Sequence, residues 1–193
     1  IVILFLALIL DYPPPLAAVQ ILWINLVTEG TLTINLIMEP PEGDEMKRSP
    51  TPVTQPLLDR ALLLRIPLMV LISVTLTFGW FVYRTTMGIS PNLVQSETFT
   101  LLAICQWFNV LNCRSASRSV FSSDLLKNPW LLGGLVLGNI LHLAVIYWPP
   151  LSQFFNTTPI HMAQFFIIIA IGSFVLWAEE LRKLLARRKS LHQ

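Results

Sequence analysis

The stretch Leu16-Ala17-Ala18-Val19-Gln20-Ile21-Leu22-Trp23-Ile24-Asn25-Leu26-Val27-Thr28-Glu29-Gly30-Thr31-Leu32-Thr33-Ile34-Asn35-Leu36-Ile37-Met38 decides the fold. As a helix rising about 1.5 Å per residue, it is long enough to cross a hydrocarbon layer of roughly 30 Å. One carboxylate, Glu29, stands deep inside it. A charged carboxylate among lipid tails is costly, so it must take up a proton or find a cation, and an intramembrane Glu reads first as an ion or proton site. The plainer alternative is a protonated Glu bonded to a neighbouring helix. Asn25, Thr28 and Glu29 fall at i, i+3 and i+4, which sets an amide oxygen, a hydroxyl and a carboxylate on one helical face. All three are hard oxygen ligands, and a calcium ion takes about six to eight, so other helices must contribute. Gly30, Thr31 and Thr33 come next, and they predict a helix loosened here, with backbone carbonyls turned toward an ion.

The rest of the chain has the same character. Of 193 residues, 54% are hydrophobic and only 12% charged, about half the charge of a soluble domain, which excludes an ordinary soluble enzyme. Further apolar spans are expected at 61–83, 98–113, 130–148 and 161–178, separated by polar or Pro-rich breaks. Residues 1–10 are too short for a span and read as the end of one, so the sequence reads as truncated at its N-terminus. The fold class expected is all-α, a polytopic transmembrane helix bundle.

Orientation comes from the basic residues. Lys47, Arg48, Arg60 and Arg65 lie in or beside the loop 39–60, Arg114, Arg118 and Lys127 in the loop before 130, and Arg182, Lys183, Arg187, Arg188 and Lys189 in the tail 179–193. Twelve of thirteen Lys and Arg thus fall on alternate loops, which makes those loops and the C-terminus cytoplasmic. Arg84 is the exception, and beside Trp80 and Tyr83 it reads as a side chain snorkelling to the interface. The tail reads as a basic amphipathic helix end meeting anionic headgroups. The loop from Glu39 to Pro56 is too mixed in sign and too rich in Pro for a nucleic-acid surface, so no nucleic-acid partner is expected.

The second source of ligands is expected on the span 98–113, where Gln106, Asn109 and Asn112 form a polar stripe. Amides also join helices, a reading that competes evenly for Gln106 and prevails for Asn109 and Asn112. Asn139 and His142, which carry no fixed charge, read as interhelical hydrogen-bonding residues. Cys105 and Cys113 lie about 12 Å apart along one helix, too far to bridge, and read as small core residues.

Pro15 to Gly30, together with Glu39-Pro40-Pro41-Glu42-Gly43-Asp44-Glu45-Met46, resembles the sixth membrane helix and adjoining loop of P-type cation-transporting ATPases, closest to the calcium and sodium/potassium pumps. The resemblance extends over essentially the whole chain. It implies a ten-helix membrane domain of which residues 1–10 are the end of helix five and the five longer spans are helices six to ten. It also implies that Asn25, Thr28 and Glu29 coordinate the transported cation. Gln106-Trp107-Phe108-Asn109 resembles the ion-facing part of helix eight, which adds Gln106 and, secondarily, Asn109 to the expected metal set.

The family usually has Asp at Glu29 and an acid at or near Gln106, so the transported ion is left open among Ca2+, Na+, K+ and H+. The phosphorylation, actuator and hinge motifs of such pumps do not occur in this sequence. No catalytic residue or cofactor is therefore expected in this chain. A parent pump would use ATP and Mg2+ in domains elsewhere, and the partners expected are the lipid bilayer, the cation and the upstream half of the pump. The membrane would be the plasma or inner membrane if the source is bacterial. Two alternatives belong to other classes: a small channel or secondary carrier using Glu29 without ATP, and a non-catalytic membrane partner module.

Overall fold

A computed structural model describes residues 1–39, 60–114, 119–120 and 128–190, without the side chains of residues 28, 29, 60, 61, 64 and 186–190. Every regular element among the described residues is helical. In chain order these are α1 (Val2–Ile9), α2 (Ala18–Trp23), a π-helical turn (Ile24–Thr28), α3 (Glu29–Leu36), α4 (Arg60–Thr86), α5 (Pro91–Cys113), α6 (Pro129–Tyr147), α7 (Pro149–Phe155) and α8 (Met162–Ser190).

Proline sets several of these boundaries. It occupies the first turn of α5, α6 and α7, where its missing N–H is not needed by the helix. Asn128 caps α6 by accepting a hydrogen bond from the Leu131 amide. Asn156 ends α7 in the left-handed conformation, with φ 52°, which an Asn tolerates better than most residues. Pro67 lies inside α4, a position more readily accepted in a membrane helix than in a soluble one.

Among the described residues, three helices are long and apolar enough to cross a membrane: Arg65–Thr86, Pro129–Tyr147 and Met162–Leu185. Between 17% and 33% of each apolar window is buried inside the molecule, so most of its apolar surface faces outward, as lipid requires. The helix α5 has the opposite character. Its residues Phe99, Leu101 and Ala103 are fully enclosed, and it packs chiefly against α8 and α4 while touching α3, the π turn and α6. The core thus lies around α5, where Ile104, Cys105, Ile168 and Val175 meet. Gly172 of α8 allows the close approach, because a Cβ there would collide with Ile104.

The structure departs from the sequence reading in several places: α4 runs on to Thr86, α7 forms where a break was expected, and two helices are much longer than their apolar runs. The fifth helix begins at Pro91 rather than at 98, because Ser90-Pro91 starts a helix readily and Ser96, Thr98 and Thr100 return their hydroxyls to backbone carbonyls one turn earlier. The last helix runs through Ser190 without a break near 178, since salt bridges one turn apart carry it past the apolar run. The loop residues 40–59, together with Arg118 and Lys127, lie outside the described residues.

Candidate cation site in the bundle

The polypeptide from Ala18 to Leu36 is two helical segments joined by the π turn Ile24–Thr28. A π turn pairs residues five apart, widens the helix and shifts the register of the next segment, and such turns concentrate at functional sites. The loosening expected near Gly30 therefore occurs, one turn earlier than Gly30 itself. Asn25 lies within this turn, Thr28 ends it, and Glu29 opens α3.

A cavity of about 400 Å³ opens beside the turn, between α1, α2, α4 and α5. Asn25, Gln106 and Asn109 line it together, with Ser73 from α4. Residues 102, 105, 106, 109 and 113 of α5 reach the cavity because a spacing of three or four residues returns to one helical face. Most of the wall is aliphatic, so the few polar groups stand out. The Gln106 Oε1 is buried and accepts no hydrogen bond. Leaving such an acceptor unpaired costs about 1–3 kcal/mol, a cost that a cation or a water removes. At one end of the cavity Arg65 donates to the Asn112 carbonyl at 2.8 Å and pairs with the buried Glu179 at 2.8 Å. The side chains of Thr28 and Glu29 are not among those described, although their backbone positions place both residues at the turn.

Asn112, the third member of the expected stripe, points elsewhere. Its Nδ2 donates to the Val175 carbonyl at 3.1 Å, which ties α5 to α8. Asn139 donates to Leu135 of its own helix, whereas His142 meets the Thr100 hydroxyl at 3.1 Å and packs against Phe99 and Trp107. Cys105 is buried but Cys113 is exposed, so only the first is a core residue.

The ionic residues depart furthest from the sequence reading. Arg84 does not snorkel. It is 7% exposed, and its Nε and Nη2 donate to the two oxygens of Glu97 at 2.7 and 2.8 Å, with the guanidinium also over the Trp80 ring. Two acids outside the stretch 16–38 also lie within the bundle: Glu97 and Glu179 are both fully enclosed. Both acids pair with an Arg of α4, Glu97 with Arg84 and Glu179 with Arg65, so the pairing depends on how α4 crosses α5 and α8.

Residues 13–185 match the family described as cation transporting ATPase, C-terminus. The chain belongs to this family. A calcium-transporting ATPase of Schizosaccharomyces pombe is 34% identical over 95% of this chain and 20% of its own length. One from Bacillus subtilis is 34% identical over 91% of the chain and 20% of the relative, and the human calcium-transporting ATPase type 2C member 2 is 35% identical over 93% and 19%. The chain thus spans about a fifth of the length of the curated relatives it matches. These relatives support the calcium side of the resemblance, not the sodium/potassium side. Membership of the cation-transporting ATPase C-terminus family agrees with an all-helical bundle in which three described helices are long and apolar enough to cross a membrane.

Proposed function

We propose that this chain supplies the sixth to tenth membrane helices of an ATP-driven calcium pump and contributes Asn25, Thr28, Glu29 and Gln106 to its intramembrane cation site, with Asn109 alongside. The observation that carries the proposal is the cavity in which Asn25, Gln106 and Asn109 converge beside the π turn, with the Gln106 carbonyl oxygen unpaired. Amide oxygens are suitable ligands for a hard cation, and a carboxylate at the position of Glu29 supplies the charge that makes calcium binding favourable. Calcium is preferred over sodium or potassium because the yeast, bacterial and human relatives are calcium-transporting.

In this reading ATP and Mg2+ are bound by cytoplasmic domains encoded outside this chain, and the upstream helices complete the ligand set. The Lys and Arg count favours a cytoplasmic C-terminus and a cytoplasmic loop 39–60, where the loop would meet those domains. Glu29 holds the cation in one state and releases it in the other, taking protons in return. The test is Glu29→Gln in the full-length protein that carries this chain. Calcium-dependent phosphorylation from labelled ATP should disappear, while a variant that keeps wild-type calcium affinity rules out the assignment of Glu29.

A further inference from the structure

The π turn is held between two separate anchors. On one side, Gln20 is fully enclosed and donates to the Phe155 carbonyl at 3.2 Å, while Trp23 meets the Phe155 ring edge-on with centroids 4.9 Å apart. These contacts fix α2. On the other side, α3 lies against α6 through two glycines. A Cβ at Gly134 would strike the Thr31 carbonyl and the Asn35 amide, and a Cβ at Gly138 would come within 3.2 Å of the Thr31 hydroxyl. Asn128 adds a hydrogen bond at 3.1 Å to the Asn35 carbonyl at the end of α3.

Thr31 is where these contacts converge on the site. Its hydroxyl donates to the Val27 carbonyl at 2.7 Å, and Val27 lies within the π turn. The turn is thus braced by a side chain that a methyl group at residue 138 would approach to 3.2 Å, close enough to shift it by a few tenths of an ångström. Gly133, next to Gly134 on the same helix, faces open space, so a Cβ there meets nothing within 4 Å.

We propose that Gly138 and Thr31 are positioning residues for the cation site: Gly138 leaves room for the Thr31 hydroxyl to hold the Val27 carbonyl, and this bond sets the backbone that presents Asn25, Thr28 and Glu29. An alanine methyl at Gly138 displaces the hydroxyl by a few tenths of an ångström and weakens its 2.7 Å bond to the carbonyl. The backbone of the turn then relaxes, and its ligands lose their arrangement without any ligand being removed. The inference rests on the proposed cation site.

The experiment measures half-saturating calcium for phosphorylation in the full-length protein, with free calcium as the probe. Thr31→Val should raise it roughly three- to tenfold, the value of one hydrogen bond, and Gly138→Ala should raise it by a smaller factor, both at an unchanged plateau. Thr31→Ser, which keeps the hydroxyl, and Gly133→Ala should match wild type. The double variant of Gly138→Ala and Thr31→Val should be no worse than Thr31→Val alone, because Gly138 acts through the bond that Thr31→Val already removes. Thr31→Val is close to isosteric, so it decides the matter even where Gly138→Ala does not assemble. Unchanged affinity in Thr31→Val, or a lowered plateau alone, overturns the inference. Glu29→Gln, run in parallel, separates the two claims: its loss of calcium dependence alongside a wild-type Thr31→Val defeats only the positioning role, and a wild-type Glu29→Gln defeats the site reading itself.

Discussion

Replacing Glu97 by Gln should be among the most destabilising single changes in this bundle. Glu97 is fully enclosed, and it accepts two bonds from Arg84 and a third from the Trp80 indole at 3.2 Å. Glutamine keeps the shape but loses the charge, and it replaces one acceptor oxygen by a donor that faces the guanidinium. Two charge-assisted hydrogen bonds are affected, each worth about 1.5–3 kcal/mol. Removing one partner of a buried ion pair costs about 3–5 kcal/mol, since the remaining charge stays enclosed without a counter-charge. The two figures agree, so a loss of roughly 3–5 kcal/mol is expected for Glu97→Gln. A double variant, Arg84→Met with Glu97→Leu, should recover most of that loss, because an apolar pair of similar volume leaves no charge stranded. The assay is SDS-induced unfolding of the detergent-solubilised protein, monitored by circular dichroism. If Glu97→Gln unfolds with the wild type, or if the effects of the two single changes simply add in the double variant, the two residues are not energetically coupled and the reasoning fails.

Further expectations rest on the same packing. Gly172→Ala inserts a methyl group into Ile104 and should cost about 1–3 kcal/mol in the same unfolding assay, and Ile104→Val should restore part of it by withdrawing a methyl group. Glu179→Gln removes the carboxylate that pairs with Arg65 and Arg182 at 2.8 Å, and should destabilise the C-terminal part of α8 by roughly 3–5 kcal/mol, the cost of breaking the buried pair with Arg65, read as faster amide exchange there. Trp130 and Trp148 are 63% and 57% exposed at the two ends of α6, so brominated lipids should quench their fluorescence far more than that of the enclosed Trp107.

Much of the architecture was readable in the chain itself. Apolar runs marked helices and the Pro-rich stretches marked the breaks between them, although Pro91 and Pro149 in fact open helices, and both signals are local: one depends on residue type, the other on a missing N–H. The resemblance carried by Pro15 to Gly30 reached the correct family, whose match extends over residues 13–185. Less was readable in α5, whose Glu97 and hydroxyl residues disguised two extra turns of helix, and in α8, whose charged last turns looked like a tail. In both cases polar groups were counted as leaving the bundle, whereas partners on neighbouring helices hold them inside it.

The sequence by itself determined an all-helical membrane bundle, its family, and the residues worth testing as cation ligands. Hydropathy, helix-stopping residues and motif spacing require only knowledge of neighbours along the chain. The tertiary structure alone decided that Arg84 and Glu97 meet, that Asn112 turns to α8 while Gln106 and Asn109 reach the cavity, and that Gly138 lies against Thr31. Those facts depend on where helices cross and how closely they approach. Crossing is settled by the simultaneous packing of many side chains far apart in sequence, a property that no window along the chain contains.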